Sequence, residues 1–251
     1  MRKNIAIFAL LVGASMASAQ TMKIHLSDGT TATYPAERVN YVEFIEDDTP
    51  GGNDHEYVDL GLPSGLLWAT CNVGADSPED YGDYFAWGET EGYKSGKTEF
   101  NWSTYKWCNG SDDTFTKYCI ESSYGTVDNK TVLDLSDDAA HVNWGGSWRM
   151  PTEEELHELR YECTWEWTTQ NGVNGRKVTG PNGNSIFLPA AGSYHDSSLD
   201  ETGSYGYYWT SSLQTSTSFY AWCAWGIYYN SRHASKNYFG RYLGLSVRPV
   251  R

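Results

Sequence analysis

The last 50 residues of the chain contain no carboxylate side chain, although the protein as a whole is acidic. Glu201 is the final acidic residue, and the charged residues after it are Arg232, Lys236, Arg241, Arg248 and Arg251. This stretch therefore carries a formal charge of +5, whereas the whole chain carries −14. Calcium sites depend on carboxylate side chains, so we expect no calcium site built from C-terminal side chains. A ligand held there would contact aromatic faces, amides and a few cations.

The chain also has few basic residues, no long apolar segment after its N-terminus and no zinc motif. Lys and Arg total 18 against 32 Asp and Glu. Proteins that bind nucleic acid carry clustered Lys and Arg side chains, so we expect no nucleic-acid partner. No later segment approaches the roughly 20 apolar residues of a membrane helix, so we expect no membrane span. Neither a C-x-x-C nor an H-x-x-x-H spacing occurs, which argues against zinc, and we expect no cofactor.

The five cysteines form an odd set that suits an oxidising compartment. Cys108 and Cys119 bracket a polar loop and are the first expectation for a disulfide. Cys223 alternates with apolar neighbours, so we expect it to be a buried free thiol.

The first 19 residues have the pattern of a secretory signal peptide. Arg2 and Lys3 precede an apolar core over residues 5–12, and Ala17-Ser18-Ala19 matches an A-x-A cleavage site. The alternative for this segment is a buried N-terminal helix. The signal-peptide interpretation predicts an exported protein, secreted or held at the cell surface, with the periplasm as a further location.

The pattern after the signal peptide divides the chain into three parts. Residues 20–47 contain an Asp28-Gly29 turn signal and a second apolar run ending at Val42, Phe44 and Ile45, which predicts a small β-hairpin module. Residues 48–56 have the composition of a linker. We expect the main domain to span residues 57–251.

Within the main domain, helix signals are few and strand signals are many. Thr152 with Glu155 three residues later predicts a capping box, which would begin a helix with Leu156, Leu159 and Cys163 on one face. A second, shorter helix is predicted to start at Ser136.

Strands are predicted over residues 186–188 and 207–211, from Phe219 and at the C-terminus. The odd positions of the strand from Phe219 are expected to face the core, and they are Phe219, Ala221, Cys223, Trp225 and Ile227. Leu243, Leu245 and Val247 predict the same alternation in a last strand. Trp148 and Trp209 are assigned to the core.

Six separated motifs follow one another in this domain. They are VDLGLPSGLLWATCNVGA (58–75), DYGDYFAWGET (80–90), NWGGSWRMPTEEELHEL (143–159), FLPAAG (187–192), YYWTSS (207–212) and GLSVRPVR (244–251). Together they resemble the Fibrobacter succinogenes major paralogous domain family of exported Bacteroidetes-type proteins, over roughly residues 57–251. The resemblance implies an α+β protein with a C-type-lectin-like domain, related to formylglycine-generating enzymes and sulfatase-modifying factors, behind a small N-terminal β module. It also implies a ligand-binding face near the C-terminal strands.

The C-terminal motifs carry a narrower resemblance. YYWTSS, a variable polar and aromatic stretch and GLSVRPV are similar to the variable region of proteins diversified by retroelements. In such proteins adenine-directed mutagenesis rewrites chosen codons on a lectin-like scaffold. The fixed frame would here be Trp209, Ser211, Ser212 and residues 246–250.

The stretch from Tyr220 to Tyr242 is the candidate binding surface, because Tyr and Trp supply rigid contact area while Asn, Ser and His adapt their hydrogen bonds. The predicted ligand-binding residues are Tyr220, Trp222, Tyr228, Tyr229, Asn230, Arg232, His233, Lys236, Asn237, Tyr238, Arg241 and Tyr242. The expected ligand is an unidentified protein or glycan, as in an adhesin. The competing interpretation is an ordinary, well-packed loop.

Three further functions remain alternatives. A catalyst similar to the formylglycine-generating enzyme would need a pair of cysteines, but no second cysteine lies close to Cys223 in the sequence. A serine nucleophile is also not indicated, because Ser211-Ser212 is not part of a G-x-S-x-G elbow. A carboxylate cluster at Asp76, Glu79, Asp80 and Asp83 is better explained as turn capping, so we expect no enzyme. A calcium-dependent lectin would carry E-P-N or Q-P-D and W-N-D triplets, which are absent. A structural subunit of a surface fibre, assembled through residues 20–46, is the third alternative.

Overall fold

The computed structural model of the protein describes residues 21–25, 31–35, 55–216 and 220–251. The chain divides into two compact units, Met1–Asp47 and Asp48–Arg251. In the first unit, β1 (Thr21–His25) pairs antiparallel with β2 (Thr31–Pro35), so that Thr21 lies opposite Pro35.

Several expectations fall outside these described residues. They are the signal peptide at 1–19, the Asp28-Gly29 turn, the strand ending at 42–45, most of the linker and Phe219.

The second unit brings its first and last strand segments together. Strands β3 (Tyr57–Asp59) and β4 (Leu67–Ala69) pair antiparallel. The amide of Leu67 donates to the Arg251 carbonyl at 3.0 Å, and Ala69 donates to Pro249 at 3.0 Å. The two ends of the unit are thus hydrogen-bonded to each other, which closes the domain on itself.

Two antiparallel three-stranded sheets make up most of the regular structure. One has the order β5-β6-β7, with β5 (Thr164–Gln170), β6 (Val173–Thr179) and β7 (Ser185–Pro189). The other has the order β10-β11-β12, with β10 (Gly206–Leu213), β11 (Cys223–Tyr229) and β12 (Ala234–Gly240). Between them a hairpin joins β8 (Ser193–His195) to β9 (Ser198–Asp200).

The two α-helices of the described part are α1 (Ala139–Trp144) and α2 (Glu153–Glu162). The capping box that opens α2 is confirmed, since Thr152 and Glu155 satisfy each other's backbone amides. The start predicted at Ser136 is wrong. A 3₁₀ turn occupies Leu135–Asp137, and α1 begins only after Asp138, whose side chain accepts from the amides of Ala140 and His141 as N-cap.

The sheet β10-β11-β12 is covered on both faces, so the predicted alternation along β11 is confirmed only in part: Ala221, Cys223 and Ile227 are buried, as expected, but so is Ala224. Ile227 and Tyr229 pack with α2 and β7 in one cluster, whereas Ala224, on the opposite face, packs with Trp209 in another. Trp225, expected in the core, is only half-buried. Period-two alternation separates inside from outside only where one face meets water.

The regular strand predicted at the C-terminus is not formed. Leu245 and Val247 are fully buried, but so is Ser246, and Arg248 is 2 % exposed. The segment forms single bridges, Phe85 with Leu245 and Tyr208 with Ser246, rather than a regular strand. Trp148 and Trp209 are buried, as expected.

The expected Cys108–Cys119 disulfide is absent, since all five cysteines are free. Each of the two thiols donates to a carbonyl close to it in sequence, Cys108 to Trp102 at 3.2 Å and Cys119 to Glu121 at 3.2 Å. Cys223 is a buried free thiol, as expected.

The described part of the protein is therefore sheet-rich with two α-helices, consistent with an α+β class. Among these residues, no helix is long and apolar enough to cross a membrane.

Candidate ligand-binding surface

Tyr229 is a core residue, so its assignment to the binding surface is wrong. Its side chain is fully buried, and its hydroxyl lies 2.8 Å from both the Leu188 and the Pro189 carbonyl oxygens. Gly206, directly opposite on β10, leaves room for the ring, because a Cβ there would lie 2.1 Å from Tyr229 Cζ. Burial raises the pKa of Tyr229 well above its usual value, so the phenol acts as a neutral donor that ties β11 to β7.

Arg241 is likewise buried, and its assignment as a ligand-binding cation is wrong. Its guanidinium donates to the carbonyl oxygens of Tyr118 at 3.0 Å and Ala221 at 3.1 Å. Burial lowers the pKa of Arg241, but an arginine remains charged under ordinary conditions. The group joins the loop around residue 118 to the end of β12 and offers nothing to a ligand.

Most of the cationic side chains of the C-terminal tract interact with other groups of the protein. Arg248, also buried, donates to Asn72 and to the carbonyls of Ala69, Thr70 and Phe187. Lys236 forms an ion pair with Glu153 of α2. Arg251 lies over the ring of Tyr57, 3.9 Å from its centroid. Of the five cations, Arg232 is the exposed one in the loop between β11 and β12.

A continuous series of half-buried rings runs across the end of the β10-β11-β12 sheet, and we name it the aromatic strip. Its members are Trp225, Tyr238, Tyr220, Trp222, Trp102 and Tyr242. Neighbouring ring centroids are 5.8, 4.5, 6.2, 6.4 and 4.6 Å apart in that order. At the Trp225 end, Lys236 Nζ lies 4.4 Å from the indole centroid. The strip contains four of the predicted ligand-binding residues together with Trp225 and Trp102.

Gly240 allows the strip to lie close to the end of β12. A Cβ at this position would be 2.8 Å from Tyr242 Cε1 and 3.4 Å from Trp222 Cζ3. Any side chain would therefore displace the Tyr242 ring and touch Trp222, so glycine here lets Tyr242 lie against the end of β12.

The remaining predicted residues lie elsewhere, because β11 and β12 present alternate side chains to opposite faces. Tyr228, paired with Ser235, is on the face opposite Trp225, and its hydroxyl lies 2.9 Å from His233 Nε2. The ring of Tyr207 lies 6.3 Å away on the same face. Asn237, paired with Gly226, shares this face.

Asn230 is a turn residue. Its side-chain oxygen accepts from the amides of Arg232 and His233, and its carbonyl accepts from buried Arg176. The predicted binding residues are thus divided between the two faces of the sheet and a structural turn, apart from the buried Tyr229 and Arg241.

Trp102 is the strip residue that the sequence did not indicate. It lies in an irregular loop, and Tyr242 and Trp222 are more than a hundred positions away in the chain. A tryptophan in an irregular loop gives no periodic signal, so only the tertiary structure brings it to the strip.

Three of the four carboxylates considered for catalysis accept hydrogen bonds from amide groups of the protein. Asp83 accepts from the amides of Tyr84 and Lys94, both at 2.8 Å. Asp80 accepts from Ser77 N at 3.1 Å, and Glu79 accepts from Gln170 and Asn171. Asp80 and Asp83 are therefore turn caps, as expected, whereas Glu79 binds side-chain amides and Asp76 donates its backbone amide to Asp80 at 3.3 Å. In the part of the chain that the structure describes, no three His, Cys, Asp or Glu side chains are grouped to hold a metal.

The conspicuous hydroxyl and thiol groups are also engaged. Ser212 Oγ accepts from Glu153 N at 3.0 Å, and Ser211 Oγ donates to Pro151 O at 3.3 Å, so both position the start of α2. Burial raises the pKa of Cys223 to about 12, which keeps the thiol protonated and poorly nucleophilic.

A separate open cleft of about 570 Å³ lies in the 89–106 region, away from the predicted residues. The Lys97–Glu89 ion pair, 2.8 Å long and with each side chain 9 % exposed, forms part of its lining. Glu89 also accepts from Lys106 N and Lys97 also donates to Thr104 O, so these charges are already satisfied within the protein.

No protein-family model, curated protein or solved structure matches the chain.

Proposed function

We propose that the protein is an exported ligand-binding protein, not an enzyme, and that it holds a protein or glycan on the aromatic strip. The observation that carries this proposal is the continuity of six half-buried rings contributed by three separate segments. Rings that are only partly covered keep apolar area in contact with water, and a ligand that covers them gains roughly 25 cal/mol per Å² of apolar area removed from water. Aromatic residues are also the commonest anchors of binding hot spots.

We further propose that the second unit has a C-type-lectin-like fold of the Fibrobacter succinogenes major paralogous domain family, with a C-terminus diversified by a retroelement. The support is the order of the six motifs and the hydrogen bonding between the first and last strand segments of the unit. The segment open to diversification, about 213–242, contributes four rings of the strip: Tyr220, Trp222, Trp225 and Tyr238. Tyr242 lies at its boundary.

The test compares two matched tyrosines of the same sheet. Full-length protein, its Tyr238→Ser variant and its Tyr228→Ser variant are assayed against a glycan array and a panel of purified cell-surface proteins. Tyr238 belongs to the strip, whereas Tyr228 lies on the opposite face. We expect a ligand that binds saturably to the parent and to Tyr228→Ser but at least about tenfold more weakly to Tyr238→Ser.

Two outcomes would contradict this proposal. A ligand that binds Tyr238→Ser as well as the parent would place the site elsewhere. Ordered self-association without any bound ligand, lost on deletion of residues 20–46, would favour the surface-fibre alternative.

A further inference from the structure

One end of the aromatic strip is bordered by the turn of the β8–β9 hairpin. His195 lies 5.7 Å from Tyr242, centroid to centroid, and Asp196 follows it in the turn. Backbone hydrogen bonds in both directions between Phe100 and Asp196, 2.8 and 3.0 Å long, fix this turn beside the loop that carries Trp102. Asp196 has φ 51°, a left-handed conformation that Asp and Asn adopt more readily than other residues with a Cβ.

Asp196 places an exposed carboxylate beside the C-terminal tract, which contains no acidic residue. Its side chain is 59 % exposed. Its Oδ1 accepts from Asn101 Nδ2 at 3.0 Å, and its Oδ2 lies 3.7 Å from His195 Nδ1. Within residues 55–216 and 220–251, no Lys or Arg side chain forms an ion pair with it. At the other end of the strip, by contrast, the carboxylate of Glu153 is already neutralised by Lys236.

The rings next to Asp196 meet at steep angles. Trp102 and Tyr242 are inclined by 60°, and Trp102 and Trp222 by 81°. Rings inclined to one another in this way offer π faces in more than one direction, and a positive charge is attracted to an aromatic face. The Asp196 carboxylate is close enough to add to burial in raising the pKa of Tyr242, so its field reaches these rings.

We propose that Trp102, Trp222, Tyr242 and Asp196 form a subsite for a cationic side chain, arginine or lysine, of a protein ligand. This inference rests on the proposed function, since it names the chemistry of one end of the same strip. The partner's cation stacks on the rings while Asp196 accepts its N–H groups. The formal charge of −14 on the whole chain adds a long-range attraction for a basic partner.

The experiment uses a charged probe and its neutral isostere. Full-length ¹⁵N-labelled protein is titrated with Nα-acetyl-arginine amide and, separately, with Nα-acetyl-citrulline amide at pH 8, where an ordinary histidine is uncharged. The indole N–H signals of Trp102 and Trp222 are assigned among the 11 tryptophans with Trp→Phe variants. We expect shifts at these two signals that are about threefold or more larger with arginine than with citrulline.

Two variants that each remove one negative charge distinguish a specific contact at the subsite from a general effect of net charge. Asp196→Asn keeps the amide contact to Asn101 and tolerates the left-handed backbone, and should weaken arginine binding about threefold. Asp200→Asn, in the same hairpin and exposed, should leave it unchanged.

Equal shifts with arginine and citrulline, or equal weakening by Asp196→Asn and Asp200→Asn, would overturn the cation subsite. Saturable shifts of the same indoles with neutral monosaccharides instead would overturn it too, while leaving a glycan-binding strip intact. The Tyr238→Ser comparison tests the strip independently, so failure of this inference and failure of the proposed function give different results.

Discussion

The guanidinium carbon of Arg241 lies 3.5 Å from the centroid of the Phe115 ring. The two residues are far apart in the chain, and their contact holds the loop around residue 115 against the end of β12. Two carbonyl oxygens, of Tyr118 and Ala221, are the hydrogen-bond acceptors of this buried cation. The relationship is structural, because a charge enclosed in this way cannot meet a ligand.

Replacing Arg241 by leucine should therefore lower the free energy of unfolding by about 3 kcal/mol. The substitution leaves two buried carbonyls without donors, and each costs about 1–3 kcal/mol. Chemical denaturation with a two-state fit measures the change. Arg232→Leu, at an exposed position, is the control and should change stability by less than about 0.5 kcal/mol. Equal effects of the two substitutions would show that Arg241 is not enclosed in solution.

Removing the Tyr229 hydroxyl should weaken the fold without affecting ligand binding. Tyr229→Phe keeps the ring in its cluster but removes the donor to Leu188 O and Pro189 O, which should cost about 1–2 kcal/mol. Tyr228→Phe removes a hydroxyl that contacts exposed His233 and should have almost no effect. Thermal unfolding of both variants measures the change in stability. A Tyr229→Phe variant as stable as the parent would contradict the buried placement of the hydroxyl.

Stability should depend on the ionisation of Glu155. Burial alone would raise the pKa of this carboxyl, but two hydrogen bonds from Arg149, 2.7 and 2.6 Å, and one from Thr152 N outweigh it and lower the pKa below its usual 4.5. A carboxyl with a lowered pKa contributes stability that is present above its unfolded-state pKa and is lost as pH falls through the folded-state value.

Glu155→Gln should accordingly cost about 1–2 kcal/mol at pH 7, and the difference from the parent should shrink as pH drops below about 4.5. Urea unfolding measured between pH 3 and pH 7 follows this difference. Glu154→Gln, exposed in the same helical turn, is the control. A difference that stays constant across this range would mean that the charge of Glu155 does not matter.

Ligand binding by the strip should survive removal of divalent cations. The C-terminal tract has no carboxylate, and the described residues hold no grouped metal ligands. We therefore expect the same affinity with and without EDTA for any ligand found in the array experiment. Loss of binding in EDTA, restored by calcium, would revive the calcium-dependent alternative.

Deep sequencing of the 3′ end of the gene, in a population grown from one cell, tests diversification. Substitutions should fall between codons 213 and 242 and concentrate at adenines. The structure adds that tolerated changes should reach strip positions such as Tyr238 while sparing fully buried Tyr229 and Arg241. A uniform sequence would indicate a fixed binding site, at best, and would remove the retroelement from the proposal.

Local signals were sufficient where neighbours in sequence decide the structure. The capping box at Thr152 and Glu155 was predicted correctly because all of its hydrogen bonds lie within four residues. The strands over 186–188 and 207–211 were recognisable from short apolar and aromatic runs. The helix start predicted at Ser136 is three residues too early, because the side chain of Asp138 accepts the first free amides of the helix.

The sequence by itself determined that the C-terminal tract is rich in aromatic residues and free of carboxylates. Only the tertiary structure decided which of these residues are enclosed and which remain accessible to solvent. Both faces of β11 are covered, so Tyr229 is interior, and the loop around residue 115 encloses Arg241, whereas Trp225 is only half-buried. Loops distant in sequence supplied Trp102 and Asp196, because strand pairing and single backbone bridges set which segments become neighbours.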